Sequence, residues 1–447
     1  WSLVGSEMCI RDSQRPIVMS DLDDLLEARN RHISKSLSIG HGQPLHIVKG
    51  EMQYLFSNDG TRYLDLVNNV CHVGHCHPKV VAAGQKQMEI LSTNTRYIYD
   101  GLTDYISRLA NTLPDGLDVG FMVNSGSEAN ELAIRLARAH TGNHDMLVAD
   151  GGYHGNTSML VQLSPYKFLG PGGRGVAESW VHVVPVPYRR AGVDYEQEMK
   201  EVISDAGNVA GFLIEPMLSC AGQIPLPDGY LKLAQTYTKE AGGLLIVDEV
   251  QVGFGRFGTH MWAFESQDVV PDIVVLGKSI GNGHPMAAVF TTEEIAASLG
   301  EMEWFSSTGG NPVSCAIGNA VLDVIEDEEL QEHAREYGEY FLNGLRKLKD
   351  TYPAIGDVRG RGLFIGFEFV RDRATLEPDA EEADRVVREM RDRGVLLSTD
   401  GPHHNVIKIK PPMVLKREDI DMTLDLLNDV LRTYGAVSYT HLRAHET

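Results

Sequence analysis

Two apolar runs, each leading to a single charged residue, constrain this chain more than any other feature of it. Leu244-Leu245-Ile246-Val247 ends in Asp248, with Glu249-Val250-Gln251 following. Asp272-Ile273-Val274-Val275-Leu276 leads through Gly277 to Lys278. Apolar runs of this length without alternation read as strands buried on both faces, the pattern of a parallel sheet covered by helices. Ligands of such sheets collect outside the carboxyl ends of the strands. Asp248 and Lys278 are therefore expected at one sheet edge. Taken alone, the two segments fit equally well as core strands with polar ends.

The termini are set aside before the rest is read. Val437–Leu442 can be coded GTC-TCT-TAT-ACA-CAT-CTC, and the reverse complement of that string translates as Glu7–Asp12. The match continues outward, with Arg443–Glu446 against Ser6–Leu3. Complementarity over so many codons identifies the two ends as one sequencing-library adapter read on opposite strands. Residues 1–13 and 437–447 are accordingly expected to be adapter-derived, with Met19 as the native start, and are excluded from fold reasoning.

Roughly 420 residues remain, enough for a large core and more than one domain. The formal net charge of -22 argues against nucleic acid and anionic membranes as partners. No stretch reaches the roughly 18 apolar residues of a membrane helix. Outside the adapter the cysteines are Cys71, Cys76, Cys220 and Cys315, too scattered for a disulfide framework. The expected compartment is a reducing cytoplasm.

Between about 70 and 320, strand-like runs alternate with helical ones: Gly120–Val123, Met146–Ala149, Trp180–Val184 and Val209–Ile214, with a helix over Glu128–His140 whose Ala129, Leu132, Ala133, Leu136 and Ala137 share a face. That alternation predicts an α/β fold with a mostly parallel, doubly wound sheet. From about 330 the pattern changes to a charged helix over Glu326–Asp350, a glycine-rich strand pair over Val358–Glu368 and a last strand over Val406–Ile409. The expected organisation is a large domain over 71–325, a small α+β domain over 326–436, and an N-terminal segment, 14–70, joined to the small domain through a hairpin turning at Asp59-Gly60.

Several loops carry chemistry. Asn124-Ser125-Gly126-Ser127-Glu128-Ala129-Asn130 joins a strand to a helix, and small residues there leave amides free for an anion; an ordinary helix cap is the plainer reading. Asp150-Gly151-Gly152-Tyr153-His154-Gly155 places a flat aromatic at the sheet edge. Ser306–Pro312 is a second hydroxyl-bearing loop before the helix Val313–Ile325. Gly253–Gly258 has the spacing G-x-G-x-x-G but no amphipathic helix after it, so nucleotide binding is not expected. Cys71-His72-Val73-Gly74-His75-Cys76-His77-Pro78 lacks paired C-x-x-C geometry; it reads as a turn into a helix, and no metal is expected. A lysine and a carboxylate at one edge suit pyridoxal phosphate: the lysine can condense with the aldehyde, and the carboxylate can keep the ring nitrogen protonated.

In order and spacing, Asn124–Asn130, Tyr153-His154-Gly155, Glu215-Pro216, Asp248–Gln251, Lys278 and Thr308-Gly309-Gly310-Asn311-Pro312 together resemble the class-III aminotransferases, which are fold-type I pyridoxal phosphate enzymes. The resemblance covers 19–436. It implies that Lys278 carries the cofactor and that Asp248 faces the ring nitrogen. Gln251 is then on the ring hydroxyl and Tyr153 stacks on the ring. Ser125, Gly126 and Ser127 hold the phosphate, with His154 and Glu215 in the same set. Thr308 is supplied to this site by the partner subunit, so the implied assembly is a homodimer with shared active sites. Asn69–Pro78, Asn94-Thr95-Arg96-Tyr97, Ser164–Phe168 and Ile407–Pro412 look most like the phospho-lyase branch, which acts on ethanolamine phosphate and phosphohydroxylysine. Where transaminases of the family carry an arginine that grips the substrate carboxylate and pairs with a glutamate such as Glu215, this chain has Lys408. Lysine lacks the planar fork of arginine. The expected substrate is therefore a small phosphorylated amine that loses phosphate, with Arg96 and Lys408 as candidate contacts and Lys167 and Lys410 behind them. Transamination of an amine or amino acid is the alternative. A non-catalytic binding protein on the same fold is a remote third reading, which the intact Lys278 opposes.

Overall fold

The computed structural model describes residues 22–40, 43–94, 96–188, 193–300 and 302–444, with side chains as far as Thr433. Residues 1–13 and Met19 lie outside the described residues. Of 437–447, the backbone of the C-terminal helix Arg417–Ala444 is described and the side chains are not.

Both marker runs are strands. Leu244–Asp248 and Ile273–Leu276 lie side by side and parallel, with Asp248 opposite Val275. They sit at the centre of a seven-stranded sheet in the order 119–123, 287–291, 273–276, 244–248, 211–214, 146–149, 181–184. Every residue of the two marker strands is buried, as unbroken apolar runs require when helices cover both faces. Ala287–Thr291 departs from the parallel pattern: it runs antiparallel to both of its neighbours. The fold class is the expected one, α/β with a large, mostly parallel sheet.

The helix Gly126–Thr141 starts where Ser125 accepts the Glu128 N–H, and stops at Gly142, whose φ of 70° only glycine adopts freely. The helix Pro312–Asp327 starts on the Asn311 cap. Its end corrects one expectation. The charged helix does not begin at Glu326: the first helix runs to Asp327 and the next spans Leu330–Thr351. Between them Glu329 has φ +49°, a left-handed break that separates the two axes.

Ile355–Arg361 and Phe364–Asp372 form the glycine-rich antiparallel pair, and Val406–Ile409 adds to it. The N-terminal hairpin Tyr54–Ser57 and Arg62–Asp65 turns at Asp59, whose Oδ1 accepts the Thr61 N–H at 2.9 Å. Arg62–Asp65 also pairs in parallel with Val395-Leu396, so the N-terminal strands join a sheet with the C-terminal region. Among the described residues no helix is long and apolar enough to cross a membrane.

Candidate active site

Asp248 ends its strand at the sheet's carboxyl edge, and Lys278 stands at the start of a short 3-10 turn, Lys278–Gly281, after the neighbouring strand. They share a cavity of about 280 Å³ with Asn124, Ser125, Gly126, Ser127, Asn130, Tyr153, His154, Gln251 and His284.

The carboxylate of Asp248 is buried and well held. Its Oδ2 accepts from Asn130 Nδ2 at 2.8 Å and lies 2.9 Å from His154 Nδ1; its Oδ1 accepts the Val250 N–H at 3.1 Å. Three donors fix the position of this carboxylate. Behind it, His154 Nε2 and Asn130 Oδ1 are buried without partners among the described residues. Lys278 is placed differently. Burial pushes its amine below the usual lysine range, with the Asp248 charge opposing that shift. Its φ of +33° is in the left-handed region, where a residue with a side chain is strained by about 1–3 kcal/mol. Among the described residues its amine has no hydrogen-bond or ion-pair partner. A strained, buried and unpaired lysine has no structural reason to be there; it is an amine ready to react.

The first turn of the helix Gly126–Thr141 closes one wall. Its Gly126 and Ser127 amides have no partner within the helix, because the first N–H groups of any helix point outward. A Cβ at Gly126 would come within 3.0 Å of Val250, so only glycine lets the turn lie this close to the Asp248 strand. Ser127 Oγ accepts the Asn156 N–H at 3.1 Å, an approach made possible by Gly155, where a Cβ would fall 2.6 Å from that oxygen. The hydroxyl of Ser125 is engaged in the helix cap. Tyr153 is half-buried, its ring 6.0 Å from that of Tyr166, with Lys167 Nζ 5.5 Å above it. Gln251 faces the cavity and its Oε1 accepts from Asn69 Nδ2 at 2.6 Å.

Other nominated residues stand outside this ring. Glu215 is fully buried behind Tyr153; it accepts the Tyr153 and Ser219 N–H groups, and burial raises its carboxyl. Thr308 is exposed and donates to Asn124 Oδ1 of its own chain at 3.0 Å. Arg96 is also exposed, paired with Glu303 at 2.9 Å and stacked on Phe305. Lys408 pairs not with Glu215 but with Asp400, at 3.1 Å. Lys410, buried beside it, lies 3.8 Å from the same carboxylate, and burial brings its amine down to about 8. Lys408 is near enough to Lys278 for their charges to repel. The glycine-rich decoy Gly253–Gly258 is a run of turns whose Arg256 is buried against the Leu363 and Pro411 carbonyls. The histidines of 71–78 turn to separate partners, His72 to the Phe254 carbonyl, His75 to Asp65 and His77 to Glu328.

The sequence did not single out Asn130, Asp400 or the pair His284–Ser314. Asn130 was visible inside a recognised motif. The others had no local signal, because their meaning comes from what they touch across the fold.

The cavity residues fit pyridoxal phosphate: an unpaired, charge-destabilised amine for the aldehyde, a held carboxylate for the ring nitrogen, and a helix start with free amides for the phosphate. Comparison with known proteins agrees. The sequence model of the family described as aminotransferase class-III matches residues 38–431. A Drosophila melanogaster protein named alanine–glyoxylate aminotransferase 2-like is 47% identical over 419 residues, spanning 89% of this chain and 85% of its own. The Caenorhabditis elegans ethanolamine-phosphate phospho-lyase homolog 1 is 41% identical over 438 residues, 92% of this chain and 93% of its own. Among solved structures, a phospholyase from Arthrobacter in complex with phosphoethanolamine superposes with a TM-score of 0.87 at 37% identity, covering 92% of this chain and 99% of that one. The chain therefore belongs to the class-III aminotransferase family, enzymes whose cofactor is pyridoxal phosphate.

Proposed function

We propose that this enzyme eliminates phosphate from a small phosphorylated amine. The observation that carries the reading is at Lys408. Lys408 and Lys410 share one carboxylate, Asp400, outside the ring of cavity residues, and the Lys408 charge reaches Lys278. A phosphate needs such charge; a planar carboxylate grip needs the fork that arginine has and lysine lacks. The likeness to the phospholyase crystallised with phosphoethanolamine supports the same choice.

In this reading Lys278 takes the proton from the amine-bearing carbon, a step favoured by the burial that weakens its own hold on a proton. Asp248, held by Asn130 and His154, would face the ring nitrogen. Pyridoxal phosphate, when bound, supplies the ring that accepts the charge left on that carbon. Tyr153 would stack on the ring, Gln251 would serve its hydroxyl, and Gly126 and Ser127 would hold the cofactor's phosphate on their amides, with Ser125 fixing the turn and Glu215 fixing Tyr153. Lys408 orients the substrate's phosphate, which leaves from the adjacent carbon; hydrolysis of the remaining fragment gives an aldehyde and ammonia.

Phosphoethanolamine should accordingly release stoichiometric phosphate and ammonia with no keto acid present. Lys408→Ala should raise KM for that substrate roughly 10- to 100-fold, the worth of one charge-assisted hydrogen bond, and leave cofactor binding intact. Transamination is the second reading, favoured by the relative at 47% identity that is named an aminotransferase. An enzyme inert until glyoxylate or pyruvate is added, and then aminating it, decides for transamination.

The active unit in this proposal is a homodimer. Tyr97 and Ile98 are 82% and 99% exposed, and Met302 and Phe305 are exposed too, with Arg96 joining the two segments through Glu303 and Phe305. An apolar strip of this kind is a surface made to be covered. A second copy covering it would carry Thr308 and Arg96 towards its partner's cavity. Sedimentation at assay concentration should give a dimer, and a fully active monomer would count against shared sites.

A further inference from the structure

His284 follows the turn that carries Lys278 and lines the same cavity. The hydrogen bonds behind it determine which of its nitrogens carries the proton. They are best followed from Asn311. Its Oδ1 accepts the Ser314 backbone N–H at 2.9 Å, and a backbone N–H can only donate, so the amide's orientation is fixed. The Asn311 Nδ2 therefore donates, to the Thr308 carbonyl at 2.8 Å and to Ser314 Oγ at 2.8 Å. Ser314 is 2% exposed, and among the described residues its hydroxyl proton has one acceptor left, His284 Nε2 at 2.8 Å. Nε2 is thus the acceptor, and in the neutral ring the proton sits on Nδ1. Burial lowers the His284 pKa from its usual value, which keeps the ring neutral at neutral pH. Among the described residues Nδ1 has no partner.

We propose that His284 is a substrate-recognition residue, presenting Nδ1–H as a fixed donor to the phosphate of a phosphorylated amine in the Lys278 cavity. Ser314 and Asn311 are positioning residues that act through it. The inference rests on the phospho-lyase reading, since a substrate without phosphate has no group for this donor.

The test uses holoenzyme labelled with ¹⁵N-histidine. Long-range ¹H–¹⁵N spectra should show a ring with Nδ1 protonated and Nε2 bare that is lost in His284→Asn, which assigns it. O-phosphoethanolamine should shift that resonance, and ethanolamine at equal concentration should not. In kinetics, His284→Phe should raise KM for phosphoethanolamine about tenfold with cofactor occupancy unchanged, the loss of one hydrogen bond to a charged group. His284→Asn, whose amide stands where Nδ1 stood, should restore most of the loss; His284→Gln, whose amide reaches towards Nε2, should not. Ser314→Ala should release the tautomer and raise KM in parallel. A ring protonated on Nε2 overturns the proposal, as does a His284→Phe enzyme that loses cofactor while KM is unmoved. Wild-type enzyme that releases no phosphate would end the lyase reading; the titration needs no turnover and decides His284 by itself.

Discussion

Replacing Lys278 with alanine should abolish turnover, with a loss of at least about 10⁴-fold. Positioned proton transfer alone contributes about 10²- to 10⁴-fold, and in the proposed reading this residue also joins the cofactor. Borohydride treatment of wild-type holoenzyme followed by peptide mapping should leave the cofactor's mass on Lys278 and on no other lysine. A Lys278→Ala enzyme that still turns over, or still yields a reducible lysine adduct, would falsify the assignment. Stability supplies an independent reading in the cofactor-free protein. The folded-state pKa of Lys278 lies below its unfolded value of 10.5 because burial disfavours the charged amine. The unfolded chain therefore binds the proton more tightly, and stability must rise with pH between the folded pKa and the ordinary lysine range. Below that window the cost of burying the charge is fully present. Cofactor-free Lys278→Ala should then melt no lower than cofactor-free wild type at neutral pH, with its excess shrinking as pH rises towards 10.5. A residue kept for packing would give the opposite sign.

Much of this was legible in the sequence, and the reason is physical. A strand buried on both faces has no choice but to be apolar throughout, so Met146–Ala149, Leu244–Asp248 and Ile273–Leu276 could be located to within a residue or two. A ligand edge must break that pattern with polar residues, and so Asp248 and Lys278 stood out. Direction was harder to read. Ala287–Thr291 is as apolar as its neighbours, and nothing in an apolar run says that it runs antiparallel. The helix break was expected at Glu326 and lies at Glu329 for a related reason: a glutamate in the left-handed region has no sequence signal of the kind glycine provides. Long-range partners were least legible. Lys408 was conspicuous as a missing arginine, but its pairing with Asp400 is set by neighbouring antiparallel strands, 398–400 and 406–409. The His284–Ser314–Asn311 chain joins a loop to a helix start, and no spacing rule connects them. Arg96 was picked from its segment alone, and within a single chain it points to Glu303 rather than to the cavity.

Asp248→Asn is the second large effect. The substitution keeps the shape of the side chain and removes its charge, so it isolates what the carboxylate does from how it packs. In the wild type three donors converge on that carboxylate, from Asn130, His154 and the Val250 amide. All three fix its orientation, and the site is covered, so its charge would act strongly on a ring nitrogen bound beside it. Losing one such preorganised electrostatic contact costs about 10²- to 10³-fold in kcat. That is the drop expected in phosphate release, with KM changed far less because the charge is needed as the carbon loses its proton rather than when the substrate binds. Asp248→Glu keeps the charge but moves the carboxylate by one methylene, and should retain part of the activity. Asn130→Ala should fall between wild type and Asp248→Asn, since it removes one of the carboxylate's donors and leaves the charge. Melting curves for all three variants distinguish a lost charge from a lost fold. If Asp248→Asn folds normally and turns over at close to the wild-type rate, Asp248 serves only to pin His154 and Asn130 in the core, and the proton on the ring nitrogen must be held by something else.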